Sequence, residues 1–128
     1  MACFLVSAAE AVVTEVAVKA VEKKEQKDGV SKETTGHITF SKKLSWLRNM
    51  LLGGSALLMF EHIWHGEVVP WFPFLTAAEN PEDLLEMFHE MATVGVTMAL
   101  LVTAVWAVIV TVVSIIEKRS EAAAPAEK

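Results

Sequence analysis

The sequence predicts an all-α fold: an integral membrane helical hairpin of two transmembrane helices, preceded by an N-terminal amphipathic helix. Three observations lead there. Residues 91–116 read MATVGVTMALLVTAVWAVIVTVVSII and carry no charge. At a rise of about 1.5 Å per residue that run is roughly 39 Å of helix, enough to cross a hydrocarbon core of about 30 Å with some tilt. A second apolar run, residues 50–60, precedes it, and the space between holds three prolines and a cluster of aromatics. Finally, the charges are segregated. None of the eleven Lys and Arg residues falls between Asn49 and Glu117, a stretch that holds seven acids: Glu61, Glu67, Glu79, Glu82, Asp83, Glu86 and Glu90. Basic residues favour the cytoplasmic side of a membrane. Both ends of the hairpin are therefore expected inside, with residues 66–80 as an outer loop.

Length and composition agree. A chain of 128 residues makes one small domain, 53% of it apolar, with a mean hydropathy of +0.41. The net charge of −5 and the absence of a basic, aromatic-rich patch argue against nucleic acid as a partner. The single cysteine, Cys3, excludes an internal disulfide or a cysteine-based zinc site.

Residues 1–22 give an amphipathic helix. On a helical wheel Ala2, Leu5, Val6, Ala9, Val12, Val13, Val16 and Ala20 fill one half. Ser7, Glu10, Thr14, Glu15, Lys19 and Glu22 fill the other. If this helix crossed the membrane, Glu10 would sit near mid-depth, at a cost of about 2.5–3.5 kcal/mol. An interfacial or partner-packed helix is favoured over a third membrane segment. Ala9-Glu10-Ala11 imitates a leader cleavage site, but no basic stretch precedes it, so cleavage is not expected.

Residues 23–41 are polar, charged in both signs and interrupted by Gly29 and Gly36, which reads as a cytoplasmic linker with His37 in solvent. Residues 42–65 form the first span, anchored at its inner end by Lys42, Lys43, Arg48 and Trp46, with Gly66 placed to end the helix. Gly53 and Gly54, with Ser55 and Ala56 beside them, would let another helix approach closely. In the loop, Pro70 and Pro73 forbid regular helix, and Trp71, Phe72, Phe74 and Leu75 belong at the membrane interface or over the hairpin mouth. Asn80-Pro81-Glu82-Asp83 starts the next helix: Asn80 can cap it, Pro81 suits its first position, and the acids complement its dipole. That helix should run unbroken to Glu117-Lys118-Arg119. Gly95, Ala99, Thr103 and Ala107, continued by Thr111, recur every four residues and mark the face that packs on the first span or on another copy. Residues 120–128 read as a disordered tail.

The candidate site is polar. Glu61, His62 and His65 close the first span, and Glu86, His89 and Glu90 open the second. A hairpin would bring both groups to one membrane depth. Glu86-x-x-His89 has the ligand spacing of carboxylate-bridged di-iron bundles, but Glu61-x-x-x-His65 does not, so one chain cannot complete such a site. His62, His65, His89, Glu61 and Glu86 remain candidates for a mononuclear metal ion, or for a haem held between His62 or His65 and His89. The favoured account of these residues is structural: hydrated helix ends and a His–Glu lock between spans. Enzymatic templates do not fit. There is no phosphate loop, no Gly-x-Ser-x-Gly and no His-Glu-x-x-His, and in Glu61-His62-x-x-His65 the acid precedes two histidines only three apart.

The leading expectation is a non-enzymatic multi-pass subunit of a cell membrane, with the bilayer, further copies of itself or other membrane subunits as partners. It would assemble or anchor a homo-oligomer or a larger complex. A metal- or haem-binding redox subunit is the second expectation. An oligomeric proton or ion conductor using Glu10 or Glu61 is the third.

Overall fold

A computed structural model describes residues 2–29 and 38–123. His37, Gly36 and the last part of the expected tail lie outside the described residues. Three helices dominate: α1, Phe4–Lys27; α2, Phe40–Trp64; and α3, Pro81–Ala123. A short 3-10 turn, Thr76–Glu79, precedes α3.

The directions of the helices follow from their cross-links. Glu25 meets Ser41, Glu15 meets Arg48, and the Phe4 ring meets His62, so α1 and α2 run antiparallel. Val6 and Cys3 crowd Gly95, and Thr103 meets Glu10, so α3 runs parallel to α1. Lys43 meets Glu117, so α3 is antiparallel to α2. The uncharged part of α3 therefore meets α1 from Cys3 to Ala11 and runs beside α2 as far as Lys43. One end of the bundle, here the linker end, carries Glu25, Ser41, Lys43 and Glu117. The other, the loop end, carries Cys3, His62 and Gly95.

Helix α1 packs with a face that takes in Ser7 and Thr14 from the polar half of the wheel. Its buried residues are Phe4, Ser7, Ala11, Thr14 and Val18, spaced three or four apart. Leu5, Val12, Val13 and Val16, from the apolar half, stay exposed, Val13 at 68%. Only part of the apolar half, Ala2 and Val6, packs inward, and helix contact explains why. Small side chains allow two backbones to approach, and Thr14 settles its hydroxyl locally by donating to Glu10 O at 2.8 Å. The β-branched residues on the other half would hold α2 away. Helix α1 also runs to Lys27, through the first residues of the expected linker.

Helix α2 answers with Leu47, Leu51, Ser55 and His62, and Leu51 is the largest fully buried side chain. Gly66 follows the helix at φ +74°, the left-handed geometry expected of a residue that ends it. The loop beyond folds back, with a β-bridge between Val68 and Leu75 and Val69 N–H donating to Phe74 O at 2.8 Å. Ala77 and Met87 pack there with Ala2 and Phe4.

Helix α3 begins at Pro81 as expected, although the Asn80 side chain bonds Asp83 instead of capping the backbone. The helix continues through one π turn, Met91–Gly95, without a break. Its most apolar stretch has a mean hydropathy of 2.7 and is only 6% buried. Among the described residues α3 alone is long and apolar enough to cross a membrane by itself. Helix α2, carrying Lys42, Lys43 and Arg48 in its first turns, does not reach that standard on its own.

Candidate functional site

At the loop end the three helices part around a cavity of about 250 Å³. Glu61, His62 and His65 from α2 line it, with Glu67 from the loop and Glu90 from α3. Its apolar wall is Leu58, Val94, Met98 and Cys3, the last a buried free thiol. The fold brings together Glu61, His62 and His65 with Glu90 from the second group, and adds Glu67 and Cys3. Glu86 and His89 do not line the cavity; both are exposed. Among the described residues no group of three or more His, Cys, Asp or Glu is placed to hold a metal ion.

His62 is the one buried imidazole of the three candidates. It lies edge-on to Phe4, with ring centroids 5.5 Å apart, and its Nδ1 meets Leu58 O one turn earlier. A carbonyl only accepts, so Nδ1 carries the hydrogen and Nε2 is left toward Glu67, 3.7 Å away. His62 is therefore held as a wall of the cavity. His65 and Glu61 are exposed at its rim.

The small-residue positions divide. Gly95 is tightly engaged: a Cβ there would meet Val6 Cγ2 at 2.8 Å and Cys3 O at 3.3 Å. Ala99 is buried, and Thr103 bonds Glu10. Ala107 and Thr111, lower on the same stripe, are exposed. The partner of the upper stripe is α1, where α2 or another copy was expected. On α2, neither Gly53 nor Gly54 has any atom within 4 Å of a built Cβ, while Ser55 beside them is buried.

The linker end holds contacts that the sequence did not disclose. Lys43 Nζ lies 2.8 Å from Glu117 Oε2 and 3.2 Å from Ser114 Oγ. Both charged side chains are nearly buried, at 9% and 8% exposure. Trp106 Nε1–H donates to Lys43 O at 2.7 Å. Ile38 N–H donates to the other Glu117 oxygen at 2.9 Å. Glu25 accepts from Ser41 N–H and Oγ–H, which places a carboxylate on the first turn of α2. The sequence signal for these pairs was weak. Lys43 has the position of a membrane-edge anchor, and nothing in its spacing from Glu117 marks a partner 74 residues away.

No known protein family, curated protein or solved structure matches this chain.

Proposed function

We propose that this chain is a non-enzymatic membrane subunit whose three helices all cross the bilayer and which assembles with further copies or with other membrane helices. The observation that carries this reading is the distribution of side chains. Ser7, Ala11, Thr14, Ser55, Gly95 and Ala99 are inside. Leu57, Phe60, Val12, Val13, Leu100 and Val108 are outside, each more than half exposed. A water-soluble bundle would bury the second set. In lipid the tails are as apolar as Leu, so helices associate through close packing and interhelical hydrogen bonds, which small and hydroxyl residues supply.

The lengths support three passes. Helix α1 and helix α2 lie alongside the uncharged part of α3, so a bilayer that covers α3 covers them too. The linker end is rich in Lys and Arg and faces the cytoplasm in this reading. The C-terminus is then cytoplasmic and the N-terminus emerges with the loop end outside. This differs from the two-span expectation, which put both termini inside. The aromatic loop and the Glu61–His65 cavity lie in the outer headgroup zone.

Assembly is supported by the lower stripe. Gly95, Ala99 and Thr103 are engaged by α1, but Ala107 and Thr111 on the same line face outward and leave room for a helix from outside the chain. Single cysteines at Ala107 and Thr111 in a Cys3→Ser background test this. Oxidative cross-linking in membranes, together with a stable higher-order band in mild detergent, is the expected result. A protein that purifies only as a monomer and never cross-links contradicts assembly.

A further inference from the structure

Beneath the loop-end cavity lies a second one of about 180 Å³, and the two share Leu58 and Met98 as walls. Each helix steps from one to the other. On α1 the lining passes from Cys3 to Ser7, one turn on. On α2 it passes from Glu61 and His62 down to Leu57, Gly54 and Leu51. On α3 it passes from Glu90 and Val94 to Val102. The upper space is polar on one wall, and the lower one is apolar apart from Ser7. Gly54 keeps the lower space open, since a Cβ built there meets nothing within 4 Å. Leu57 and Met98 are exposed beside it, at 74% and 40%, so it opens sideways between α2 and α3.

The upper lining has a sign. It holds three acids, Glu61, Glu67 and Glu90, and neither Lys nor Arg. Glu61 stands exposed at the rim, and its carboxyl has no partner among the described residues. His62 adds a buried nitrogen: its side chain is 10% exposed, and Nε2 lies 3.7 Å from Glu67 Oε2, longer than a hydrogen bond. An ammonium group carries three donors, and one placed beside this pair reaches both.

We infer that the two cavities form one site for a single-chain amphiphilic cation. Its ammonium head sits among Glu61, His62 and Glu67. Its alkyl chain runs down past Leu58 and Met98 and over Gly54. Charge selects the head: a phosphate there would stand beside three carboxylates. Depth selects the tail: Val102 lies twelve residues past Glu90, about 18 Å along the helix, so a short amine cannot fill the site. A mostly apolar space with a few convergent polar groups is the usual form of a small-molecule site. This inference goes beyond assembly and takes from the membrane reading only the depth of the site.

The test uses the protein in phosphatidylcholine vesicles and a hexadecylamine bearing a diazirine on its chain. Palmitic acid with the same diazirine is the comparison, and adducts are read by peptide mass spectrometry. The expected result is saturable labelling by the amine around Leu57 and Met98, displaced by plain hexadecylamine and not by ethylamine. The acid should label these segments less. Glu61→Gln should weaken amine labelling about threefold, the size of an exposed ion pair, without weakening that by the acid. Gly54→Leu, which fills the lower cavity, should remove the labelling, and Gly53→Leu, on the exposed neighbour, should keep it. Equal labelling by acid and amine with no effect of Glu61→Gln overturns the inference. So does labelling that never saturates, that ethylamine displaces, or that survives Gly54→Leu. None of these results touches the assembly reading, which the cross-links at Ala107 and Thr111 judge. A protein recovered from buffer and not from the vesicles removes the membrane reading, and the inference with it.

Discussion

At the linker end, Lys43, Glu117 and Glu25 each enter the bundle and meet a group from another segment. At the loop end, Glu61 and His65 line an open cavity and Glu86 and His89 stand exposed. The two ends carry similar residue types, yet one is closed and the other is accessible. The difference teaches that charge in this chain has two uses. Where a charged group is buried it clasps helices; where it is exposed it leaves a surface that something else can reach.

The sharpest way to break that contrast is Lys43→Met. It takes the Lys43 ammonium from a nearly buried pair with Glu117, and losing one partner of such a pair costs about 3–5 kcal/mol. Unfolding in detergent should report this, and the double change Lys43→Met with Glu117→Leu should recover much of it. An equally stable single variant would mean that the linker end is not clasped at all.

The next effect compares two glycines. Gly95→Ala forces a methyl against Val6 and the Cys3 carbonyl, and overpacking of this kind costs about 1–3 kcal/mol. Gly54→Ala meets open space, and replacing Gly by Ala inside a helix is worth up to about 1 kcal/mol of added stability. Thermal unfolding of the two variants should therefore shift in opposite directions. Trp106→Phe keeps an aromatic side chain but loses the indole donor to Lys43 O, and that hydrogen bond should account for about 0.5–1.5 kcal/mol of the loss by the same measurement. The smallest effects belong to the loop end. His65→Ala and His89→Ala are exposed changes and should stay within about 0.5 kcal/mol of the parent. A larger loss at either would show that the loop end is also structural.

Much of this was legible in the sequence. The start of α3 at Pro81 and the end of α2 before Gly66 follow from local chemistry that needs no partner. The stripe through Gly95, Ala99 and Thr103 was visible as a period of four. Its partner was not, because the apolar half of α1 invites the rule that apolar faces are buried. Ser7, Ala11 and Thr14 pack inside instead, because small side chains let two helix backbones approach closely. The candidate site was half legible. Glu61, His62 and His65 do line one cavity, since they sit together on one stretch of α2. Glu86 and His89 miss it because the inward line of α3 runs through Met87, Met91, Gly95 and Ala99. Which line of a helix faces inward depends on its neighbours and cannot be read from spacing within one segment. The Lys43–Glu117 clasp needed knowledge of how far α3 runs beside α2.

The central claim is that α1 shares the bilayer with α3, and spin labels test it most directly. Single cysteines at Val13 and at Val108, in a Cys3→Ser background, carry labels whose collisions with oxygen and with a water-soluble nickel chelate report depth. Both residues are well exposed on the bundle, at 68% and 63%. The account predicts high oxygen and low nickel accessibility at both sites. High nickel accessibility at Val13 with low accessibility at Val108 would place α1 in water and contradict it.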